Sequence, residues 1–477
     1  MVKEKEGNEE EIVKLQVGKI VKVLLIMFLL YIAVSCIIPP LIHKKASGEN
    51  WNQANEFQMA GASDSAERVL CIDDNSEALL WRLRVIEAAK DEIILSTFDF
   101  RDDNSGRDIM SALLNAAERG VKVKILVDGL NGMFLYGSDC FKALVTSPNV
   151  EAKLYNQINL LTPWKVNYRM HDKYLIADEM VYILGGRNTN DLFLGNYLDK
   201  YNIDRDILVY SESSNMQQSL YELVDYFYLV WELSCNQELF YEAKFEIEAE
   251  ELRAHYLSLL ALYPEAFIST EWKKETMETS SIMLLTNPIE AENKAPELWF
   301  SLCRLMEQGK EIMIQTPYII CSKEMYEDLS LLGSSGAHVQ IITNAVESGA
   351  NPLGCTDYLN QKDEILKTGA EVFECLHNNS LHTKTILVDD AISIVGSYNL
   401  DMRSSYLDTE MMLVIDCPQL NAYLREFAVG SMNKSKHSMP DGSVFFGAEY
   451  EPVHLPFGKS IIYGILRILV LPFRHLL

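Results

Sequence analysis

The chain has 477 residues, 48% apolar and 23% charged, which is enough to bury a large core and too apolar for wholesale disorder. Its 42 basic and 68 acidic residues give a formal charge of −26, which repels nucleic-acid backbones at long range and counts against a nucleic-acid partner. The nine cysteines are scattered without a C-x-x-C pair, so neither a zinc ribbon nor a disulfide framework is indicated.

An N-terminal segment, 1–22, leads into an apolar run, 20–42, that is uncharged from Val23 to Ile42 and flanked by Lys22 and Lys44-Lys45. Pro39-Pro40 should end a helix there. Starting the helix at Ile20, with Lys22 snorkelling, restores the ~20 residues a bilayer needs. The run reads as a retained single-pass anchor in the cell membrane; small residues at Ala33-Val34-Ser35 keep a cleaved signal peptide as the competing reading. A polar linker follows over 43–66.

The first folded half is expected over 67–215. Asp91 to Phe98 reads as a strand, and Ile109 to Arg119 as a helix with Ile109, Leu113, Leu114 and Ala117 on one face. Gly120 stops that helix, and Val121 to Asp128 alternates as a second strand, which completes a βαβ unit. Residues 216–295 read as connecting helices. Over 296–432 the pattern returns: Lys310 to Pro317 resembles the first strand, and Gly336 to Asn344 matches Gly120 to Asp128 in character at each position. The expected fold is α/β, with two pseudo-symmetric α/β/α halves, largely parallel sheets and an N-terminal membrane helix.

Each half then carries a sharper match. His171-x-Lys173-x4-Asp178 is followed after six residues by Gly185-Gly186-Arg187-Asn188; His382-x-Lys384-x4-Asp389 is followed after six by Gly396-Ser397-Tyr398-Asn399. On a strand, residues i and i+2 share a face, so each His and Lys project together. The glycines allow close approach of backbone to a ligand, and each Asn can donate hydrogen bonds to an anion. Two His, two Lys and two Asn converging on one point suit a phosphodiester. The lysines neutralise oxygens, one His attacks phosphorus and the other protonates the leaving alcohol. A metal site is disfavoured, because lysines beside both histidines repel a cation.

These motifs resemble those of the phospholipase D superfamily over most of 68–432, and the chain looks most like bacterial cardiolipin synthases in Phe98 to Arg107, Gly185 to Asn188 and Asn399 to Ser404. The resemblance implies ping-pong phosphatidyl transfer with no metal and no cofactor, His171 as nucleophile and His382 as general acid. It implies phospholipid partners: phosphatidylglycerol, with phosphatidylethanolamine as a second candidate. It also places an orienting carboxylate at Glu410 in one half and Asp206 in the other. Asp178 and Asp389, though part of the catalytic motif, are expected to hold the architecture. Arg187 and Arg403 either bind phosphate or pair with acids. Gly186 stands where Ser is usual, while Ser397 keeps it. The same site could serve a hydrolytic phospholipase D or, against the charge, a nuclease; intact His and Lys residues argue against a dead lipid-binding protein. The tail, 433–477, ends in an apolar stretch with three basic residues from Lys459 on, which fits an interfacial membrane helix.

Overall fold

The computed structural model describes residues 2–48, 66–212 and 218–477; most of the expected linker, and the expected boundary at 215, lie outside them. The N-terminal run is one helix, α1 (Val2–Ile37), closed by a 3-10 turn at Pro39–Leu41 where the two prolines stop it. Among the described residues, Gln16–Leu41 is the one helical stretch long and apolar enough to cross a membrane.

The first half runs β1 (Glu67–Ile72), α2 (Asn75–Ala88), β2 (Glu92–Thr97), α3 (Asn104–Glu118), β3 (Lys122–Asp128), α4 (Asp139–Val145), β4 (Val150–Tyr155), β5 (Tyr174–Ala177), β6 (Val181–Gly185), β7 (Asn202–Ile203) and β8 (Asp206–Ser211). The connecting region holds α5 (Ser219–Trp231), β9 (Gln237–Glu238), α6 (Glu246–Leu262), α7 (Trp272–Glu275) and β10 (Met277–Glu278). The second half opens with β11 (Ser281–Thr286), α8 (Glu297–Met306), β12 (Glu311–Gln315), β13 (Ile319–Ile320), α9 (Lys323–Ser334), β14 (His338–Asn344), α10 (Pro352–Lys367) and β15 (Glu371–Cys375). It continues through β16 (Ser380–Leu381), β17 (Thr385–Val388), β18 (Ile392–Gly396), β19 (Leu400–Asp401), α11 (Met402–Tyr406), β20 (Met411–Asp416) and α12 (Pro418–Asn433). The tail adds β21 (Ser435–Ser438), β22 (Val444–Phe446) and α13 (Phe457–Val470).

The duplication is plain in the sheet orders, β10-β1-β8-β6-β5-β2-β3-β4-β9 and β11-β20-β18-β17-β12-β14-β15-β21-β22. The βαβ units give parallel pairs β2–β3–β4 and β12–β14–β15. The motif strands β5, β6 and β8, and β17, β18 and β20, pair antiparallel, so each sheet is mixed, with its parallel part on one side. β11 falls inside the stretch expected to be helical. Its short apolar run, Ile282 to Leu285, carries no periodicity that separates strand from buried helix, and only pairing with β20 decides it.

Strand alternation divides the core. On β2, Ile93 and Leu95 face the outer cluster with α2, α3 and α6, whereas Ile94 faces inward. On β12, Ile312 and Ile314 join an outer cluster with α8 and α9, whereas Met313 faces inward. The inward residues of both sheets form one cluster with α5 and α12, so the halves share a core. Local chemistry sets the helix ends. Asp103 accepts from Gly106 N at 3.0 Å to cap α3, and Gly120, at φ +97°, turns the chain out of it.

Candidate active site

Each catalytic-motif histidine stands just before its motif strand, where the two halves exchange backbone. His171 N donates to Thr409 O at 3.3 Å and Thr409 N to Arg169 O at 2.9 Å. Likewise β16 pairs with β7, and His382 N donates to Ile203 O at 2.7 Å. As a result, each histidine meets a carboxylate from the opposite half. His171 Nδ1 lies 2.8 Å from Glu410 Oε1, and His382 Nδ1 lies 2.5 Å from Asp204 Oδ2. An imidazole so held has Nε2 as its reactive nitrogen. Phe98 meets the His171 ring edge-on at 4.9 Å between centroids, and Phe193 meets His382 likewise at 5.1 Å.

Asp204 corrects the expectation of Asp206. Pairing of Gly185 with Asp206, and of Gly396 with Met412, makes Asp204 the repeat equivalent of Glu410. Asp206 is fully buried two residues on, 2.9 Å from Arg82 and 3.4 Å from Arg187. The signal was present in the repeat register, but two acids two residues apart in an extended segment share a face, and motif spacing alone does not separate them.

The same register explains Gly186. Ser397 donates to Glu410 Oε2, and Ser404 Oγ adds a second hydrogen bond at 2.6 Å. Asp204 is one methylene shorter and sits directly against Gly186, where any Cβ would collide with its carboxylate. Gly185 and Gly396 are likewise hemmed in by the backbones of residues 205–206 and 411–412. The expected close approach is therefore to the strand carrying the carboxylate, not to a ligand.

Lys173 and Lys384 are buried beside their histidines. Lys173 Nζ donates to His171 O, and Lys384 Nζ to His382 O at 2.5 Å, with Asp204 Oδ2 3.4 Å away. Convergence shows in the electrostatics, because both lysines depress both histidines. Burial, then Lys173, holds His171 well below the usual imidazole range; burial and Lys384 bring His382 to about 4. Burial lowers Lys384 and pushes Lys173 down to about 7. Burial raises Asp204, but Lys384 and His382 outweigh it and hold the carboxyl below its usual range. Burial pushes Glu410 up to about 8, against the opposing pull of Lys173 and the hydroxyls of Ser397 and Ser404.

Asn188 and Asn399 occupy equivalent points after β6 and β18, each with a buried carboxamide oxygen that has no hydrogen-bond partner. Each orphaned oxygen calls for a donor, such as a substrate hydroxyl, and only the Nδ2 group of each amide can serve a phosphate oxygen. A pocket of about 180 Å³ opens at His382, lined also by Tyr318, Asn202, Asn351 and Ser380. Asp178 and Asp389 lie at the far ends of β5 and β17, in left-handed turns at φ 53° and 46°. Their carboxylates accept backbone N–H groups at the start of β2 (Lys90, Asp91 and Glu92, each 2.9 Å) and β12 (Lys310 at 2.8 Å, Glu311 at 2.9 Å). They clamp the sheet and do not reach the site. Arg187 is spent on Ile72 O, Asp73 O, Asn75 and Asp206, and Arg403 on Asp408, Asn167 O and Leu476 O, so both pair with protein groups.

Residues 83–227 and 302–429 match the family described as cardiolipin synthase, PLD-like domain. Cardiolipin synthase C of Escherichia coli K12 is 25% identical over 398 residues, covering 73% of this chain and 81% of the relative. An uncharacterized Helicobacter pylori protein is 27% identical over 401 residues, covering 75% and 77%. The crystal structure of phosphatidylserine synthase from Haemophilus influenzae Rd KW20 superposes with a TM-score of 0.61 at 16% identity. It covers 89% of this chain and 100% of that one, which shows a shared fold. The chain belongs to the cardiolipin synthase family of phospholipase D-like domains and is an enzyme of the phospholipase D superfamily.

Proposed function

We propose that the protein is a membrane-anchored phosphatidyltransferase of the cardiolipin synthase type. The observation that carries this is the exchanged pair of histidine–carboxylate contacts, Glu410 on His171 and Asp204 on His382, with a buried lysine beside each histidine. His171 Nδ1–H donates a hydrogen bond to Glu410 and keeps its proton, and the Nε2 lone pair attacks phosphorus. A P–N bond forms as the P–O bond to the leaving alcohol breaks, and His382 supplies that alcohol's proton. Asp204, held ionised, is the neighbour that favours a charged His382 against burial and Lys384, which bring it down to about 4, so this order of roles depends on that contact. The acceptor alcohol then returns its proton to His382 and displaces His171. Lys173, Lys384, Asn188 and Asn399 hold the non-bridging oxygens. Phosphatidylglycerol serves as donor and acceptor, with phosphatidylethanolamine as an alternative donor.

Retention of α1 is supported by its ties to the body. Asn167 Nδ2 donates to Cys36 O at 2.6 Å, and Asn293 Nδ2 to Pro39 O at 2.7 Å. The test is lipid profiling of purified protein in mixed phosphatidylglycerol and phosphatidylethanolamine vesicles. Cardiolipin released with glycerol or ethanolamine is expected; phosphatidic acid alone would make the enzyme a hydrolase.

A pH dependence follows from Lys173. Its folded value of about 7 leaves it charged below that pH and neutral above it. In the free enzyme Lys173 therefore adds a fall in kcat/KM as pH rises through about 7, beyond the one that His382 sets at lower pH. The bound phosphate anion favours the ammonium, so kcat persists to higher pH. Rate profiles on a soluble phosphodiester check this: a kcat/KM that shows no fall above about pH 7 would remove Lys173 as the titrating group.

A further inference from the structure

The C-terminal stretch makes contacts that the catalytic reading leaves unused. α13 lies along α10, with Tyr463 and Val470 buried. The cations of this stretch pair with the body: Arg474, in the turn after α13, with Asp357 at 2.5 and 3.1 Å, the exposed Arg467 through Nε with Asn360 Oδ1 at 2.8 Å, and Lys459 Nζ with Glu347 O at 3.1 Å. Apart from Ser460 and the paired Arg467, the outward side chains are apolar. Phe457, Ile461, Ile462, Ile465, Ile468 and Leu469 are each half exposed or more, and Phe457 reaches 82%. An apolar face of this extent on a folded protein marks an interaction surface.

Its position identifies the occupant. The 3-10 turn after α13, Leu471–Leu476, returns to the exit point of α1, where His475 Nε2 donates to Ile37 O at 2.9 Å. At the same place Tyr31 of α1 donates to Leu161 O at 3.3 Å, and Leu160 and Leu161 are exposed. From Val453 onward the chain contains no Asp or Glu. The surface is thus continuous with the membrane-crossing stretch, apolar, and free of acids that would repel anionic lipid.

We propose that the outward face of α13, with the loop at Leu160–Leu161, is a bilayer-docking surface that lies in the lipid interface beside α1. The proposal rests on α1 spanning the membrane. Because α13 packs on α10, and Asn351 at the start of α10 lines the pocket at His382, docking holds the site mouth against the headgroups. α1 would tether the enzyme to the membrane; α13 would orient it.

The test uses the full chain reconstituted in phosphatidylglycerol-containing vesicles. With Ile468→Trp, lipids brominated in the acyl chain should quench fluorescence beyond wild type; no excess quenching overturns the proposal. The double variant Ile465→Glu/Ile468→Glu should lose about tenfold or more in turnover of vesicle lipid, while turnover of a water-soluble short-chain phosphodiester stays at wild-type level. Equal vesicle turnover overturns the proposal. So does a detergent-stable dimer that the double variant dissociates, which would assign the face to a second copy. Excess quenching in a protein that turns over neither substrate would leave the docking surface standing and reject the proposed reaction.

Discussion

His171→Ala is expected to abolish turnover, by about 10⁴-fold or more, and to leave no covalent phosphoenzyme from any donor. His382→Ala should lose as much with a natural lipid, whose alkoxide leaving group needs a proton. With an activated phosphodiester such as a nitrophenyl ester, the leaving group departs unprotonated, so His382→Ala should still accumulate labelled enzyme. Acid-labile, base-stable label on the protein distinguishes the variants. Label retained in His171→Ala and lost in His382→Ala would reverse the roles, and substantial lipid turnover in either would break the shared-site mechanism. Neither substitution should unfold the chain. Glu410 keeps Ser397 and Ser404 as donors, and Asp204 keeps the Arg205 backbone N–H at 2.8 Å and Lys384 at 3.4 Å.

The second large effect separates two acids that lie two residues apart. Asp204→Asn should leave thermal stability near wild type and lower kcat by about 10³-fold or more, because the amide no longer holds His382 in the right tautomer or favours its imidazolium. Asp206→Ala should do the opposite. It strands the buried Arg82 and Arg187 guanidinium groups, a loss of about 3–5 kcal/mol, while correctly folded molecules keep their site chemistry. Urea unfolding with active-site-normalised kcat measures both. A catalytic defect in folded Asp206→Ala with none in Asp204→Asn would give the orienting role to Asp206 instead.

Much of the site is legible in the chain itself, because the relevant constraints are short in range. The i, i+2 projection of His and Lys, the Gly–x–x–Asn that follows, and the return of the whole pattern at His382 depend on strand period and repeat alone. The same holds for the stop at Pro39-Pro40 and for the face of α3 built from Ile109, Leu113 and Ala117, which the structure buries as expected. Asp178 and Asp389, expected as members of the catalytic motif that hold the architecture, accept backbone N–H groups at the starts of β2 and β12.

The duplication, the paired His and Lys residues of the two motifs and the apolar run at the N-terminus thus follow from local pattern. Which partner each group meets does not; that is a property of the folded molecule. Asp204 rather than Asp206, Arg187 and Arg403 against protein groups rather than phosphate, β11 as a strand, and the pairing of Lys459, Arg467 and Arg474 with the body all follow from strand register and helix packing. Most of these pairings join residues far apart in the chain: His171 and Glu410 are separated by 239 positions. Local propensity carries no record of such pairings; they form only when burial of both sheets' inner faces in one core fixes the register between the halves.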